Sequence, residues 1–169
     1  MSYNPEKSLR DAEKILDSRE LRDVISLRIE PESTTCCCSG CWPLVWQQVN
    51  ELIFPQGPVE HEGRVLVKID NEKCVLEQHE SGPEVILLVT ASLNLIVAVI
   101  NLIVAVCSSL RKERKCPTKI RIVKRRFFRN RVDEDLLVEV NLNDSKITQD
   151  KMKDIIEAAI KISFGLKKK

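Results

Sequence analysis

The chain has 169 residues, of which 43% are hydrophobic and 31% charged. That composition excludes a disordered polymer, a collagen-like repeat or a low-complexity segment, and leaves room for one ordinary domain or two small ones. The formal net charge of +2 conceals an asymmetry, because residues 1–84 carry a net charge of −7 and residues 85–169 one of +9.

The first twenty residues contain no apolar stretch of the kind that opens a secretory signal. Seven cysteines in such a chain are therefore expected as reduced thiols or metal ligands rather than as a disulfide framework. Asn4-Pro5 suits a helix start, and Leu9, Ala12 and Leu16 then share one face of a short charged helix. Ile25, Leu27 and Ile29 alternate, which is a strand pattern.

Pro31 to Gly40 reads as a loop that runs into Cys36-Cys37-Cys38-Ser39-Gly40-Cys41. One C-x-x-C pair supplies too few ligands for a zinc or iron–sulfur site, which takes four. A metal centre on Cys36, Cys37, Cys38 and Cys41 would need help from Cys74, Cys116, His61 or His79. Free or lipid-modified thiols are the plainer reading. Trp42 to Phe54 follows as an amphipathic helix with Trp42, Val45, Trp46, Val49, Leu52 and Ile53 in one stripe, and Pro55 and Gly57-Pro58 end it. Arg64 to Asp70 and Cys74 to His79 then read as a β-hairpin, which Ser81-Gly82-Pro83 breaks.

The central feature is a charge-free run from Val85 to Cys107, with fifteen Leu, Ile or Val residues. Within it Asn94-Leu-Ile-Val-Ala-Val99 recurs as Asn101-Leu-Ile-Val-Ala-Val106. Twenty-three uninterrupted residues are too many for one strand, and no Gly or Pro divides them, so a helix is expected. At 100° per residue Thr90, Asn94 and Asn101 fall within about 40° of one another. Ala91, Ala98 and Ala105 lie beside them, and the opposite side is bulky and apolar.

Two environments suit such a helix. In a bilayer the run is long enough to span, the Asn/Ala face would pack against a like helix, and the basic residues after it would mark the cytoplasmic side. In a soluble fold the bulky face would lie on the sheet and the Asn stripe would face outward. The sequence favours the membrane reading, although crossing without a signal would carry the acidic, Cys-containing half into an oxidising space.

Arg111, Lys112, Arg114 and Lys115 follow the run at once. Lys124-Arg125-Arg126-Phe127-Phe128-Arg129-Asn130-Arg131 adds five basic residues and two Phe. Beside a membrane this stretch would grip anionic headgroups. Away from one it could contact nucleic acid by phosphate pairing and stacking, a less favoured partner. Its plain reading is a solvated hairpin loop between a strand at Lys119–Lys124 and another through Leu136, Val138, Val140 and Leu142. Met152, Ile155, Ile156, Ala159 and Ile160 then form the stripe of a closing helix, with Gly165 as its cap.

Catalysis finds no support, since His61 and His79 are isolated and no nucleophile, phosphate-binding or dinucleotide motif is present. The expected fold is therefore α+β, with two β-hairpins flanking one long apolar helix in ββαββα order, a C-terminal amphipathic helix and a helical N-terminal segment. The expected divisions are 1–58 (acidic, with the Cys cluster), 59–84 (hairpin), 85–110 (apolar helix) and 111–169 (basic ββα unit). The expected function is non-enzymatic: a membrane-anchored small protein that self-associates through its Asn/Ala face. The alternatives are a soluble adaptor, with a homo-oligomer or a partner protein on its surface, and a metal-binding or redox protein.

Overall fold

Alternating apolar residues in six segments build one antiparallel sheet. The computed structural model describes residues 5–19, 23–31, 64–69, 71–79, 82–112, 119–128 and 131–166. Its elements are α1 (Pro5–Ile15), β1 (Val24–Pro31), β2 (Arg64–Ile69), β3 (Glu72–His79), β4 (Gly82–Leu88), α2 (Leu93–Lys112), β5 (Lys119–Phe128), β6 (Arg131–Asn141) and α3 (Gln149–Ser163). The sheet order is β2-β3-β4-β1-β5-β6. The fold is thus α+β, with a six-stranded antiparallel sheet and three helices among the described residues. The Cys36–Cys41 cluster and the expected 42–54 helix lie outside them.

Two expectations need correction. The apolar run is not one helix. Its first residues, Val85 to Leu88, belong to β4, which pairs with β3 on one side and β1 on the other. Gly82 and Pro83 open this strand instead of ending the sheet, opposite His79 and Gln78. The switch to helix comes at Ser92. Its hydroxyl accepts from the Leu95 amide, and its own N–H and O–H donate to the two carboxylate oxygens of Glu72. A helix whose first turn holds no acid thereby acquires one from β3, at the end where negative charge is stabilising.

The second correction concerns the basic stretch. Lys124 to Phe128 is the second half of β5 and not a loop, because β6 brings acids to meet it: Arg125 pairs with Glu134 and Arg126 with Asp133 in register. Opposite charges across a ladder stabilise it. β1, suggested by alternation alone, joins β4 to β5 near the middle of the sheet.

The helices divide between the two faces. α2 and α3 pack together on one face, with α3 toward β6 and α2 in contact with β2. Ile25, Leu27 and Ile29 of β1, Leu76 of β3, Leu87 of β4 and Ile122 of β5 meet nine buried residues of α2 and Met152, Ile156 and Ile160 of α3. Ile155, expected in the stripe of α3, is exposed. On the other face Ala12 and Leu16 close a smaller cluster over Val24, Val75, Ile86 and Phe127.

The ends of α3 follow local rules. Thr148 caps its N-terminus through Lys151 N–H. At the C-terminus Leu166 N–H bonds Lys161 O at 2.9 Å and Gly165 N–H bonds Ile162 O at 3.0 Å. This pairing needs the left-handed φ of +70° at Gly165.

Candidate interaction surfaces

The outer side of α2 carries the Asn/Ala face. Thr90, Asn94 and Asn101 are exposed, and Ala91, Ala98 and Ala105 are half-buried. Leu93 and Val97 lie among them at 51% and 36% exposure. Asn94 and Asn101 therefore lie on the exposed side of α2, while Leu95, Ile96, Val99 and Ile103 are buried on the other; Thr90 and Ala91 precede the helix, and Ala91 packs against the main core.

The basic candidates are spread over several environments. Arg111 donates from Nη1 to Ile147 O and from Nη2 to Asp144 O at 3.0 Å, which ties the end of α2 to the loop before α3. Lys112 is exposed. Lys124 is buried on the helical face, opposite Leu27. Its Nζ donates to Ser163 O at 2.5 Å and sits 4.7 Å from the Phe164 ring centre. A cation at the C-terminal carbonyls of α3 complements the helix dipole. Burial, with Arg126 adding repulsion, holds this amine below its usual pKa.

Arg125 points to the opposite face, between Glu84 at 3.9 Å and Glu134 at 2.9 Å. Arg126 pairs with Asp135 at 3.1 Å. Arg131 pairs with Asp133 at 3.2 Å and covers the Phe128 ring at 5.1 Å. Arg114, Lys115 and Arg129 lie outside the described residues.

Sequence reasoning did not anticipate a belt of charge on the face that carries α1. Arg28 and Arg121 meet Glu30 at 3.8 Å and 3.4 Å. Glu77 and Glu84 stand opposite each other on β3 and β4 and are 2% and 1% exposed. Ser26 is buried between Ile86 and Arg125, and among the described residues its hydroxyl has no hydrogen-bond partner. The period-two spacing of Ser26, Arg28 and Glu30 was visible in the sequence, but such spacing ordinarily marks a solvated face. Only the folded chain reveals that Ser26 is buried and that Arg28 and Glu30 are half-buried.

Among the described residues no group of three His, Cys, Asp or Glu side chains could hold a metal ion. Cys74 and Cys107 are free thiols in the main core. Burial pushes the Cys74 pKa up to about 12 and raises that of Cys107 as well. Neither is a poised nucleophile, since reactivity needs an accessible thiolate. No protein-family model, curated protein or solved structure matches this chain.

Proposed function

We propose that the chain is a non-catalytic, soluble α+β interaction domain in which α2 is the core helix of its own fold. The burial of α2 carries this reading. Nine of its twenty residues are buried. The strand residues beneath them, such as Leu27, Leu76 and Leu87, are fully covered. Each large apolar side chain removed from water contributes about 1.5–3 kcal/mol. A bilayer could take up α2, but the sheet would then lose its cover. α2 is long and apolar enough to cross a membrane, as the core helix of a soluble protein can also be.

The ion pairs support the same reading. Arg125, Arg126 and Arg131 are each met by a carboxylate of the same chain, which leaves less free positive charge for headgroups or phosphates than the sequence promised.

Fractionation of the expressed full chain tests the proposal. The expected result is a soluble, monodisperse species that a carbonate wash does not retain on membranes. Recovery only in detergent overturns the reading and restores the membrane-embedded helix.

A further inference from the structure

The two ends of α3 are held unequally. Its buried stripe is short: Met152, Ile156 and Ile160 of fifteen residues, against nine of twenty in α2. At the N-terminal end the connection from β6 is braced from within. Asn143 N–H bonds Asn141 Oδ1 at 3.0 Å, Lys146 N–H bonds Asp144 Oδ1 at 2.9 Å and Ile147 N–H bonds Asp144 O at 3.1 Å. Arg111 of α2 clamps the same connection from outside, donating to Ile147 O and Asp144 O.

The C-terminal end rests on Lys124 of β5. This side chain lies on the apolar face of the sheet, opposite Leu27 of β1, and is 5% exposed. An ammonium carries three donors. Among the described residues Ser163 O, at 2.5 Å, is its one hydrogen-bond acceptor. Asp135 stands opposite it on β6, but that carboxylate pairs with Arg126 at 3.1 Å. The Phe164 ring at 4.7 Å and the negative end of α3 compensate the charge in part. A charge taken out of water with so few partners is disfavoured. The lowered pKa of this amine agrees.

We propose that α3 is a hinged flap that pivots on the connection from Leu142 to Thr148, so that its C-terminal half lifts away from β5, and that the buried charge of Lys124 favours the open state. Opening returns the ammonium to water and uncovers the apolar layer on the β6 side, where Val140 is buried. No such charge lies in the buried face of α2, whose nine buried residues from Leu95 to Leu110 are all apolar side chains or Cys107. α2 therefore stays on the sheet when α3 opens, as a sub-global opening requires. The motion goes beyond the interaction-domain reading: it gives such a domain an apolar surface that is covered at rest and released without global unfolding.

Hydrogen–deuterium exchange of the purified full chain, read by mass spectrometry, tests the flap. In wild type the amides from Ala158 to Ser163 are expected to exchange faster than those from Val99 to Val106 of α2. Lys124→Met replaces the charge by an apolar side chain of comparable length. It should slow exchange over Ala158 to Ser163 roughly tenfold and leave α2 unchanged. Lys124→Arg keeps a cation in place and should not slow it. Wild-type exchange over α3 as slow as that over α2 overturns the flap without recourse to any variant. Faster exchange over α3 in Lys124→Met overturns the role of the charge, because Lys124 would then hold the helix closed.

Discussion

The two faces of this sheet are built from alternate residues of the same strands, yet they are stabilised differently. On the helical face Ile25, Leu27 and Ile29 meet α2 and α3 in an apolar layer. One residue over in each strand, Ser26, Arg28 and Glu84 belong to a belt of ion pairs and buried polar groups. The apolar layer gains from every square ångström it buries and is insensitive to exact geometry. The belt gains only when each charge is met, because taking a charge out of water costs several kcal/mol. Burial alone is therefore a poor guide to what a residue contributes. Glu84 and Leu87 are both almost wholly buried, but only Glu84 carries a charge whose burial depends on its partners.

The first way to break the comparison is to remove one partner of such a charge. Arg125→Ala removes the cation beside Glu84 and is expected to destabilise the fold by about 3–5 kcal/mol in denaturant unfolding. The double variant Arg125→Met with Glu84→Leu should recover most of that loss. A double variant no more stable than Arg125→Ala would mean that the belt acts through something other than charge compensation.

The apolar face should answer instead to alkaline pH. The unfolded chain ionises its thiols above about pH 9, whereas folded Cys74 stays protonated to about pH 12. Stability is complete below pH 9 and falls as pH rises through that window, approaching about 1.4 kcal/mol per pH unit for each raised thiol. Lys124 acts in the opposite sense. Its folded pKa lies below 10.5, so its contribution to stability rises with pH until the unfolded amine also loses its proton. Unfolding curves between pH 8 and pH 11 should therefore show a net fall, and Cys74→Val should reduce its slope.

A smaller effect lies at the junction between strand and helix. Glu72→Gln weakens the carboxylate that holds Ser92, and should cost about 0.5–2 kcal/mol. Amide exchange would sharpen the result, with protection lost first at the start of α2. Loss spread evenly over the sheet would show that Glu72 does not act through the cap.

Much of the scaffold was legible in the sequence because short-range patterns encode it. Alternation located β1, both strands of the first hairpin and the inward Val138, Val140 and Leu142 of the C-terminal pair, but it misplaced Leu136, which is 52% exposed because the register slip at Leu137 turns it to the other face. The i, i+3, i+4 spacing located α3, and Gly165 marked its end because only a residue free of a Cβ penalty adopts that φ readily. The candidate surfaces were half legible. Asn94 and Asn101 do share an exposed side of α2, as a seven-residue spacing requires. The basic stretch was visible as charge, but the carboxylates that meet it arrive only when β6 folds back on β5.

By itself, the sequence determined composition, periodicity and local caps, all of which depend on residues a few positions apart. The tertiary structure decided where the apolar run divides, because Val85 to Leu88 are drawn into the sheet by β1 and β3, and their own β-branched and Leu residues suit either state. It also separated two identical residues of the repeat. Val97 is 36% exposed and Val104 only 5%, although both occupy the fourth place of the same six-residue segment. Seven residues at 100° each fall about 20° short of two full turns. That drift carries the second Val closer to the flank that faces α3, and burial is set by which neighbour waits there.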